Sequence, residues 1–511
     1  MTEFVRSLTA GGVVLCISTV THAQRNTIAT ERVRLAEITG DTIGAPVAVP
    51  SWLRIVPPDV RIVWNSEIPY SLNDGPLWAG RGMNVGLSGG LESSVRLRRT
   101  LVRVRLAPTM VYSQNLPFPI IRGTMPSRSA FANPLHDSTS SMDLPLRFGD
   151  VPVRRFDAGR SELSVTGRHV ALRLTAENDW WGPAIRNAIV MGDNAAGIPR
   201  LEVLTSTPLR TRVGAISAKA IAGALTPSLY FDAAHRSRII SGAVIELKPK
   251  FDTTLTLGFH RVVYAPVAWS LGTVVRAIDF AVRWEALRKP SELAEGETDY
   301  TDQISALAAR WIFPRAGFEV YGEWARADLP RSLNEFVSVL HYSGGYTFGF
   351  QWAQPKRTGS YLRLQSEITY LEQSAGFGDR TFSEFYSGRA SAEGYTQRGQ
   401  VIGAAIGPGA SSQWLAMDYF APRWQVGVFA GRVRWENDAL YRQFVPNFFQ
   451  HDVSLLGGVR GARRFPHADL SFDVTWAYRQ HWLFQSGFAN PGRYGTMDIR
   501  NLTLSVAATP R

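Results

Sequence analysis

The stretch that decides the fold is WWGPAIRNAIVMGDNAAGIP, residues 180–199. It follows a run of alternating apolar and polar residues, but it is too rich in Gly, Pro and Asn to continue as a strand. Two adjacent tryptophans, Trp180 and Trp181, open it. Such a long aromatic segment between strand-like runs indicates a structured loop on a β scaffold.

Alternation with a period of two recurs through the rest of the chain. In residues 470–478, for example, Leu470, Phe472, Val474 and Trp476 share one face of a strand and polar residues occupy the other. These runs of about ten to fourteen residues exceed the usual strands of soluble sheets and suit tilted strands that cross a membrane. Alternation alone does not say whether the apolar face points inward or outward.

Connection lengths favour a membrane barrel, because outer-membrane barrels alternate short periplasmic turns with long external loops. From a predicted strand at 164–177 to the end of the chain, short and long connections alternate without a break. We therefore predict an all-β, antiparallel transmembrane outer-membrane barrel whose last strand ends at the periplasm. This count gives about sixteen strands and places 114–163 on the periplasmic side, a length that leaves room for one further hairpin within 60–163. Short connections are predicted at 206–209, 248–252, 314–317, 354–359, 420–423 and 460–467, and long ones at 178–198, 222–237, 266–302, 329–342, 374–410, 436–449 and 482–497.

The N-terminus has the pattern of a secretory signal, an apolar run from Leu8 to Val20 followed by Thr21-His22-Ala23. We expect a signal peptide at 1–23, a periplasmic segment at 24–60 with a short helix around 30–37, and the barrel at 61–511. The one cysteine, Cys16, lies in the signal, so no disulfide or thiolate-bound metal is expected. No apolar run is long enough for a transmembrane helix, although the loop at 266–302 has the helical spacing of an amphipathic helix.

Three motifs, in the same order along the chain, resemble hallmarks of the capsule assembly (Wzi-type) outer-membrane protein family. Residues 180–199 resemble its WWGPG…NNA-x-P signature. Residues 320–328 (VYGEWARAD) resemble its Y-x-E-x-x-x-x-D strand, and residues 395–407 (YTQRGQVIGAAIG) its Y-x-x-x-G-x-x-x-G-x-x-x-G segment. The resemblance covers most of the chain from about Asn65. It implies an outer-membrane barrel of about eighteen strands that binds or organises surface polysaccharide and is not an enzyme.

Candidate polysaccharide contacts are side chains on the long loops. Indole rings stack on sugar faces, but they also anchor loops by burial, so both roles are open for the paired tryptophans. Arginines pair with acidic groups. The candidate contacts are Trp180, Trp181, Arg186, Asn194 and Arg398. Structural roles are expected for the other motif residues, which are Gly182, Pro183, Tyr321, Glu323, Asp328, Gly399, Gly403 and Gly407.

The formal net charge of +12 suggests acidic surroundings for an exported protein. We predict a monomer in a Gram-negative outer membrane, whose partners are an acidic surface polysaccharide, membrane lipid and lipopolysaccharide. Nucleic acid is not expected, since no binding motif is visible. Arginines that face a watery lumen or lipid headgroups would give the same net charge.

A diffusion channel is the main alternative. Arg363, Glu367, Asp473 and Arg479 are predicted to face the lumen, and a barrel of this size encloses an aqueous pore unless it is plugged. The long loops argue for occlusion.

A soluble carbohydrate-active enzyme is the second alternative. Glu319 and Glu323 share a strand face, but four residues of strand span about 13 Å, farther than a glycosidase pair requires. The chain has no G-x-S-x-G elbow and no H-x-x-H or H-E-x-x-H grouping. We therefore predict no catalytic residue, no metal site and no cofactor.

Overall fold

The computed structural model describes residues 28–41, 52–123, 125–136, 141–266, 302–327, 337, 343–356, 359–373, 384–388, 392–442, 450–485 and 497–510. The predicted signal peptide, the predicted loop helix within 267–301 and the motif residue Asp328 lie outside these ranges. Among the described helices, none has the length and apolar character needed to cross a membrane.

The described strands form one large antiparallel sheet that closes on itself, with a separate hairpin, β17–β18, in a loop. The first strands are β1 (Arg54–Asn65), β2 (Gly82–Leu97), β3 (Thr100–Leu106), β4 (Thr109–Ser113), β5 (Val153–Asp157), β6 (Glu162–Thr166), β7 (Val170–Thr175), β8 (Arg200–Thr205), β9 (Leu209–Arg210), β10 (Gly214–Leu225), β11 (Arg238–Pro249) and β12 (Leu255–Pro266). They are followed by β13 (Asp302–Phe313), β14 (Phe318–Arg326), β15 (Gly344–Pro355), β16 (Tyr361–Tyr370), β17 (Thr396–Gln397), β18 (Gln400–Val401), β19 (Ser411–Phe420), β20 (Trp424–Arg434), β21 (Val453–Arg464), β22 (Ala468–Gln480) and β23 (Ile499–Pro510).

The barrel closes where β1 pairs with β23, from Val60 opposite Ala508 to Asn65 opposite Thr503. It has eighteen strand positions, because three of them are each built from two shorter strands. The strands β3 and β4 both pair with β2, β6 and β5 pair with β3 and β4, and β8 and β9 both pair with β10. The predicted outer-membrane barrel is therefore confirmed, with the strand number that the family resemblance implies.

The count of about sixteen strands from connection lengths was wrong. Residues 164–177 do not form one strand, since β6 ends at Thr166 and β7 begins at Val170 after a three-residue turn. Gly167 is the one strong turn signal there, so the hairpin escaped notice. The additional strand reverses the direction of the chain before it, and residues 114–152 therefore lie at the same end as the other long loops. The first strand also begins at Arg54, inside the segment expected to be periplasmic.

The two ends of the barrel differ, and we call them the short-turn end and the long-loop end. The predicted short and long connections coincide with or overlap those of the structure. The short-turn end contains connections 98–99, 167–169, 206–213 (in which the two-residue β9 extends the position of β8), 250–254, 314–317, 356–360, 421–423 and 465–467. The long-loop end contains connections 66–81, 114–152, 176–199, 226–237, 267–301, 327–343, 371–410, 435–452 and 481–498.

The strands present apolar side chains outward and polar side chains inward. On β19, for instance, Leu415 and Met417 are 50% and 49% exposed, whereas Glu319 of β14 and Arg363 of β16 are 0% and 1% exposed. A soluble barrel has the opposite arrangement, with its apolar side chains inside. An outward apolar surface around a polar interior is that of a barrel embedded in lipid.

Helix α1 (Ile28–Thr39) lies inside the barrel near the short-turn end, and it covers the predicted helix at 30–37. Leu35 and Ile38 pack against Ala353 and Phe420 of the barrel wall. Ion pairs continue this contact, with Arg34 2.7 Å from Glu319 and Glu37 2.7 Å from Arg310. The other helices lie in connections, namely α2 (Asn437–Arg442) and the one-turn helices Pro134–His136, Pro314–Ala316 and Trp482–Phe484.

Candidate functional site

The connection 176–199, which we call the motif loop, folds inward and lies across the lumen. On one side, a Cβ added to Gly242 of β11 would lie 2.9 Å from the Trp181 ring, so this glycine makes room for the indole. On another side, the Arg186 guanidinium lies 4.6 Å from the ring centroid of Trp414 on β19. Because β11 and β19 are well separated around the barrel, the loop spans the lumen between them.

Trp180 and Trp181 hold the motif loop together from within. Trp180 donates its Nε1–H to the Ala184 carbonyl at 3.0 Å, and Trp181 donates its Nε1–H to the Asp179 carboxylate at 2.8 Å. The two residues are 4% and 0% exposed. The expectation that their rings contact polysaccharide therefore does not fit the structure, because no indole face is open to a sugar.

Two buried carboxylates on the barrel wall hold the loop backbone. Glu323 of β14 accepts hydrogen bonds from the amides of Ala184 at 3.1 Å and Ile189 at 3.0 Å. Glu367 of β16 accepts from the amides of Ile185 at 2.7 Å and Asn187 at 2.9 Å. Buried backbone amides and buried carboxylates each cost free energy unless they are paired, and here they satisfy one another.

Three further motif residues, Tyr321, Gly182 and Pro183, have structural roles around these two carboxylates. Tyr321, two residues before Glu323, donates its hydroxyl to Glu367 at 3.0 Å. Gly182 has a φ of +107°, and a Cβ there would lie 2.3 Å from Glu323 Oε1. Only glycine combines that backbone conformation with so close an approach. The carbonyl of Pro183 accepts a hydrogen bond from Arg34 of α1 at 2.8 Å.

A second connection, 371–410, packs onto the motif loop, and we call it the tyrosine loop. Tyr386 and Tyr395 donate their hydroxyls to the carbonyls of Ile189 at 2.7 Å and Val190 at 2.9 Å. Asn194 donates its Nδ2–H to the Val401 carbonyl at 3.0 Å, and Asn194 is 8% exposed. Asn194 therefore bridges two buried loops, and its predicted contact with polysaccharide does not fit that burial.

The three motif glycines of the tyrosine loop are required for different structural reasons. A Cβ at Gly403 would lie 2.2 Å from the Ile189 carbonyl, so the two loops touch through this glycine. Gly399 and Gly407 have φ values of +80° and +82°, and only Gly399 is also crowded, by Pro145 and Phe148. Arg398 donates to Asp157 at 2.8 Å, and its side chain is 29% exposed. Its guanidinium is therefore already paired within the protein.

At the long-loop end, a buried histidine joins three connections. The Nδ1 of His136 lies 3.1 Å from the Glu384 carboxylate, and its Nε2 lies 3.4 Å from that of Glu436. Burial alone would lower the pKa of His136, but the two carboxylates outweigh it and raise this pKa to about 10. The imidazolium is thus charged at neutral pH and ties its own loop to the tyrosine loop and to 435–452.

The exposed part of the long-loop end carries arginines beside aromatic rings, a group that we call the arginine–aromatic patch. Arg122 is exposed and lies 5.7 Å from the Phe131 ring centroid, which in turn lies 6.0 Å from that of Tyr230. Arg236 is 50% exposed and pairs with Asp232 at 3.3 Å and with the buried Glu393 at 3.1 Å. Sequence reasoning missed this patch, because its two halves are about a hundred residues apart and the connection lengths placed residues 114–163 on the periplasmic side.

No group of three or more His, Cys, Asp or Glu residues in the described part of the chain is arranged to hold a metal ion. The buried carboxylates near the motif loop are occupied by protein donors. Glu319 pairs with Arg34 and Arg310 at 2.7 Å each, and Glu323 binds loop amides. These buried carboxylates therefore hold α1 and the motif loop in place inside the barrel.

Glu323→Gln tests whether this carboxylate holds the motif loop. Both of its oxygens accept an amide N–H, and a glutamine would turn an NH₂ group toward one of these donors. We expect the amides of Ala184 and Ile189 to exchange with solvent about tenfold faster or more, since a buried unpaired donor costs about 1–3 kcal/mol. Glu246→Gln, on a lumen-facing carboxyl of β11, is the control. Unchanged exchange in Glu323→Gln would contradict the assignment.

The His136 ion pairs predict a pH dependence of loop stability. Because its pKa is raised from 6.5 to about 10, their contribution is fully present below about pH 6.5 and is lost as the pH rises through about 10. The variant His136→Gln should be cleaved in loop 114–152 on the order of tenfold faster than the wild type at pH 7. That ratio should approach one above pH 10, whereas His235→Gln, on an exposed loop, should behave like the wild type. A ratio that does not change with pH would contradict this account.

Comparisons with known proteins agree with this architecture. The family model of the capsule assembly protein Wzi matches residues 88–486, more than half of the chain. No curated protein shows significant similarity to the chain.

The chain is similar to several solved structures. Wzi, an outer-membrane protein involved in group 1 capsule assembly in Escherichia coli and a carbohydrate-binding β-barrel, superposes with a TM-score of 0.55 and 12% identity, over 94% of this chain and 86% of that one. OpdK from Pseudomonas aeruginosa gives a TM-score of 0.42 with 10% identity, over 89% of this chain and 98% of that one. By the extent of the family match, this outer-membrane barrel belongs to the Wzi capsule assembly family.

Proposed function

We propose that the protein binds surface polysaccharide at the long-loop end of the barrel and acts neither as an enzyme nor as a diffusion channel. The observation that carries this proposal is the position of the motif loop across the lumen, held by Glu323 and Glu367 and covered by the tyrosine loop. A polymer that approaches from outside meets the outer face of these loops. The likeness to a carbohydrate-binding barrel supports the same ligand class.

The arginine–aromatic patch is the surface that best fits sugar binding. Ring faces such as those of Phe131 and Tyr230 stack on the apolar faces of sugars, and guanidinium groups bind carboxylates in a bidentate manner. Arg122 and Arg236 lie on two different connections of this end. Each contact is weak, but a polymer that engages several of them, or several barrels at once, is held by avidity.

Overall charge does not attract an acidic polymer to this end. The nine long connections contain 25 Asp and Glu residues against 16 Arg and Lys residues. The net charge of +12 is therefore not located there, and an acidic polysaccharide would be recognised by local arginines rather than by a general positive field. Arg186, which lies against Trp414, and Arg398, which is paired and only 29% exposed, are less suited to this role than Arg122. Arg236 is also paired, with Asp232 and Glu393, but half of its side chain is exposed.

Two functions are disfavoured by the same contacts. The carboxylates Glu319 and Glu323, which a glycosidase would need free, are bound by arginines and by loop amides. A channel would need an open lumen where the motif loop lies. A monomeric barrel that touches lipopolysaccharide remains a prediction that accompanies this proposal.

Replacing Arg122 with glutamine, alone and together with Arg236→Gln, tests the patch. Because Arg236 also pairs with Asp232 and Glu393, the single variant, expected to bind about threefold more weakly, shows the effect without the loss of these ion pairs. We expect the double variant to bind the purified surface polysaccharide of the source strain about five- to tenfold more weakly, because two charge-assisted contacts at an exposed site are lost. Detergent-folded protein would be titrated calorimetrically. The matched control is Arg154→Gln with Arg500→Gln, two exposed arginines on strands β5 and β23. Equal loss in both variants, or no loss in either, would contradict the patch assignment.

A further inference from the structure

The short-turn end of the barrel is ringed by basic side chains. Its eight connections contain ten Arg and Lys residues and one acidic residue, Asp252. The eighth connection, 465–467, has none of its own, but Arg463 and Arg464 directly precede it at the end of β21, where Arg464 lies 3.9 Å from Asp469. Because the barrel is closed, basic side chains at every turn form a complete ring. The exposed and described members within the connections are Arg98, Arg99, Arg168, Arg210, Arg212, Lys250, Arg315, Lys356 and Arg423.

These charges are not neutralised by the protein. None of the nine forms an ion pair with another described residue, and Lys356 donates only to the side-chain oxygen of Gln354. The single carboxylate of the ring, Asp252, accepts hydrogen bonds from Thr254 and from Trp311. Arg310, within the lumen, is by contrast paired with Glu37 and Glu319.

A belt of aromatic side chains lies immediately beside this ring on the outer surface. Trp311, Trp352 and Trp424 are each 42% exposed and lie within a few residues of the short-turn ends of their strands. Phe251 in the turn 250–254 is 84% exposed. Aromatic rings of this kind sit at the headgroup level of a bilayer, so the basic ring projects just beyond the hydrocarbon, at the depth of the lipid phosphates.

We propose that the short-turn end binds anionic phospholipid headgroups, such as phosphatidylglycerol, in the leaflet that faces it. A guanidinium binds a phosphate in a bidentate manner, and basic side chains at a membrane surface attract anionic lipid. A continuous ring around the circumference matches an annulus of lipids, whereas a soluble partner would need a patch on one side. The belt places the ring against lipid, which favours lipid over a soluble polyanion.

The opposite charge of the two ends strengthens this assignment. The long connections carry an acidic excess, while the short ones carry ten basic residues against one acidic residue. The excess of positive charge in the connections therefore lies at the short-turn end and faces the leaflet on that side. The ring fixes the depth and orientation of the barrel, and it does so independently of any polysaccharide at the other end.

The test uses the tryptophans of the belt as reporters. Folded protein is reconstituted in bilayers that mix phosphatidylcholine with phosphatidylglycerol, and fluorescence quenching is compared when one or the other lipid carries brominated chains. We expect phosphatidylglycerol to be preferred about threefold over phosphatidylcholine at low salt, and less so at high salt. The ring variant Arg98→Gln, Arg99→Gln, Arg168→Gln, Arg210→Gln and Arg212→Gln should lose this preference. The variant Arg122→Gln with Arg236→Gln, at the other end, should keep it.

Equal preference in the wild type and the ring variant would overturn the proposal, as would a loss of preference in the control variant. A soluble polyanion, dextran sulfate, is titrated in parallel. If it binds the wild type through the ring while the lipid preference is absent, the partner is a soluble polymer and the proposal is wrong. A heat-dependent gel shift confirms that each variant is folded, and the side chains substituted in the ring variant make no ion pair with another described residue.

Discussion

The structure depends on the burial of a loop backbone inside a membrane barrel. The amides of residues 184, 185, 187 and 189 are removed from water, and each would cost free energy if left unpaired. Glu323 and Glu367 accept hydrogen bonds from all four, and the same contacts hold two carboxylates that could not otherwise remain buried. The motif loop and the barrel wall therefore stabilise each other. Glycine is required at 182 because the motif loop lies so close to Glu323, and at 403 because the tyrosine loop lies so close to the motif loop.

The same principle organises the rest of the lumen. Arg310 and Arg34 surround Glu319, and this cluster attaches α1 to the wall near the short-turn end. Arg363 and Arg460 surround Asp418 on the neighbouring part of the wall. The charges of these two clusters are paired inside the barrel, while those on the short turns are left exposed. The interior provides rigidity, and the two ends remain to contact polysaccharide and lipid.

The barrel could be predicted from the sequence because alternation and connection length are local signals. The positions of most turns followed from them, and the three motifs located the residues that now meet in space. What the sequence could not give is the pairing between distant positions. Glu323 lies 139 residues from Ala184, and nothing local to Trp181 says that its indole faces Asp179 and a glycine on β11 rather than solvent. The short hairpin at 167–169 was missed because a single glycine marks it, and that error hid the arginine–aromatic patch.

The central claim is that the motif loop closes the lumen, and single-channel recording in planar bilayers tests it most directly. The account predicts no steady conductance from the folded wild-type barrel. It predicts steady conductance once a short Gly-Ser linker replaces residues 182–197, which removes the backbone that Glu323 and Glu367 hold. Steady, ohmic conductance from the wild type at the level of the linker variant would contradict the claim and favour a diffusion channel.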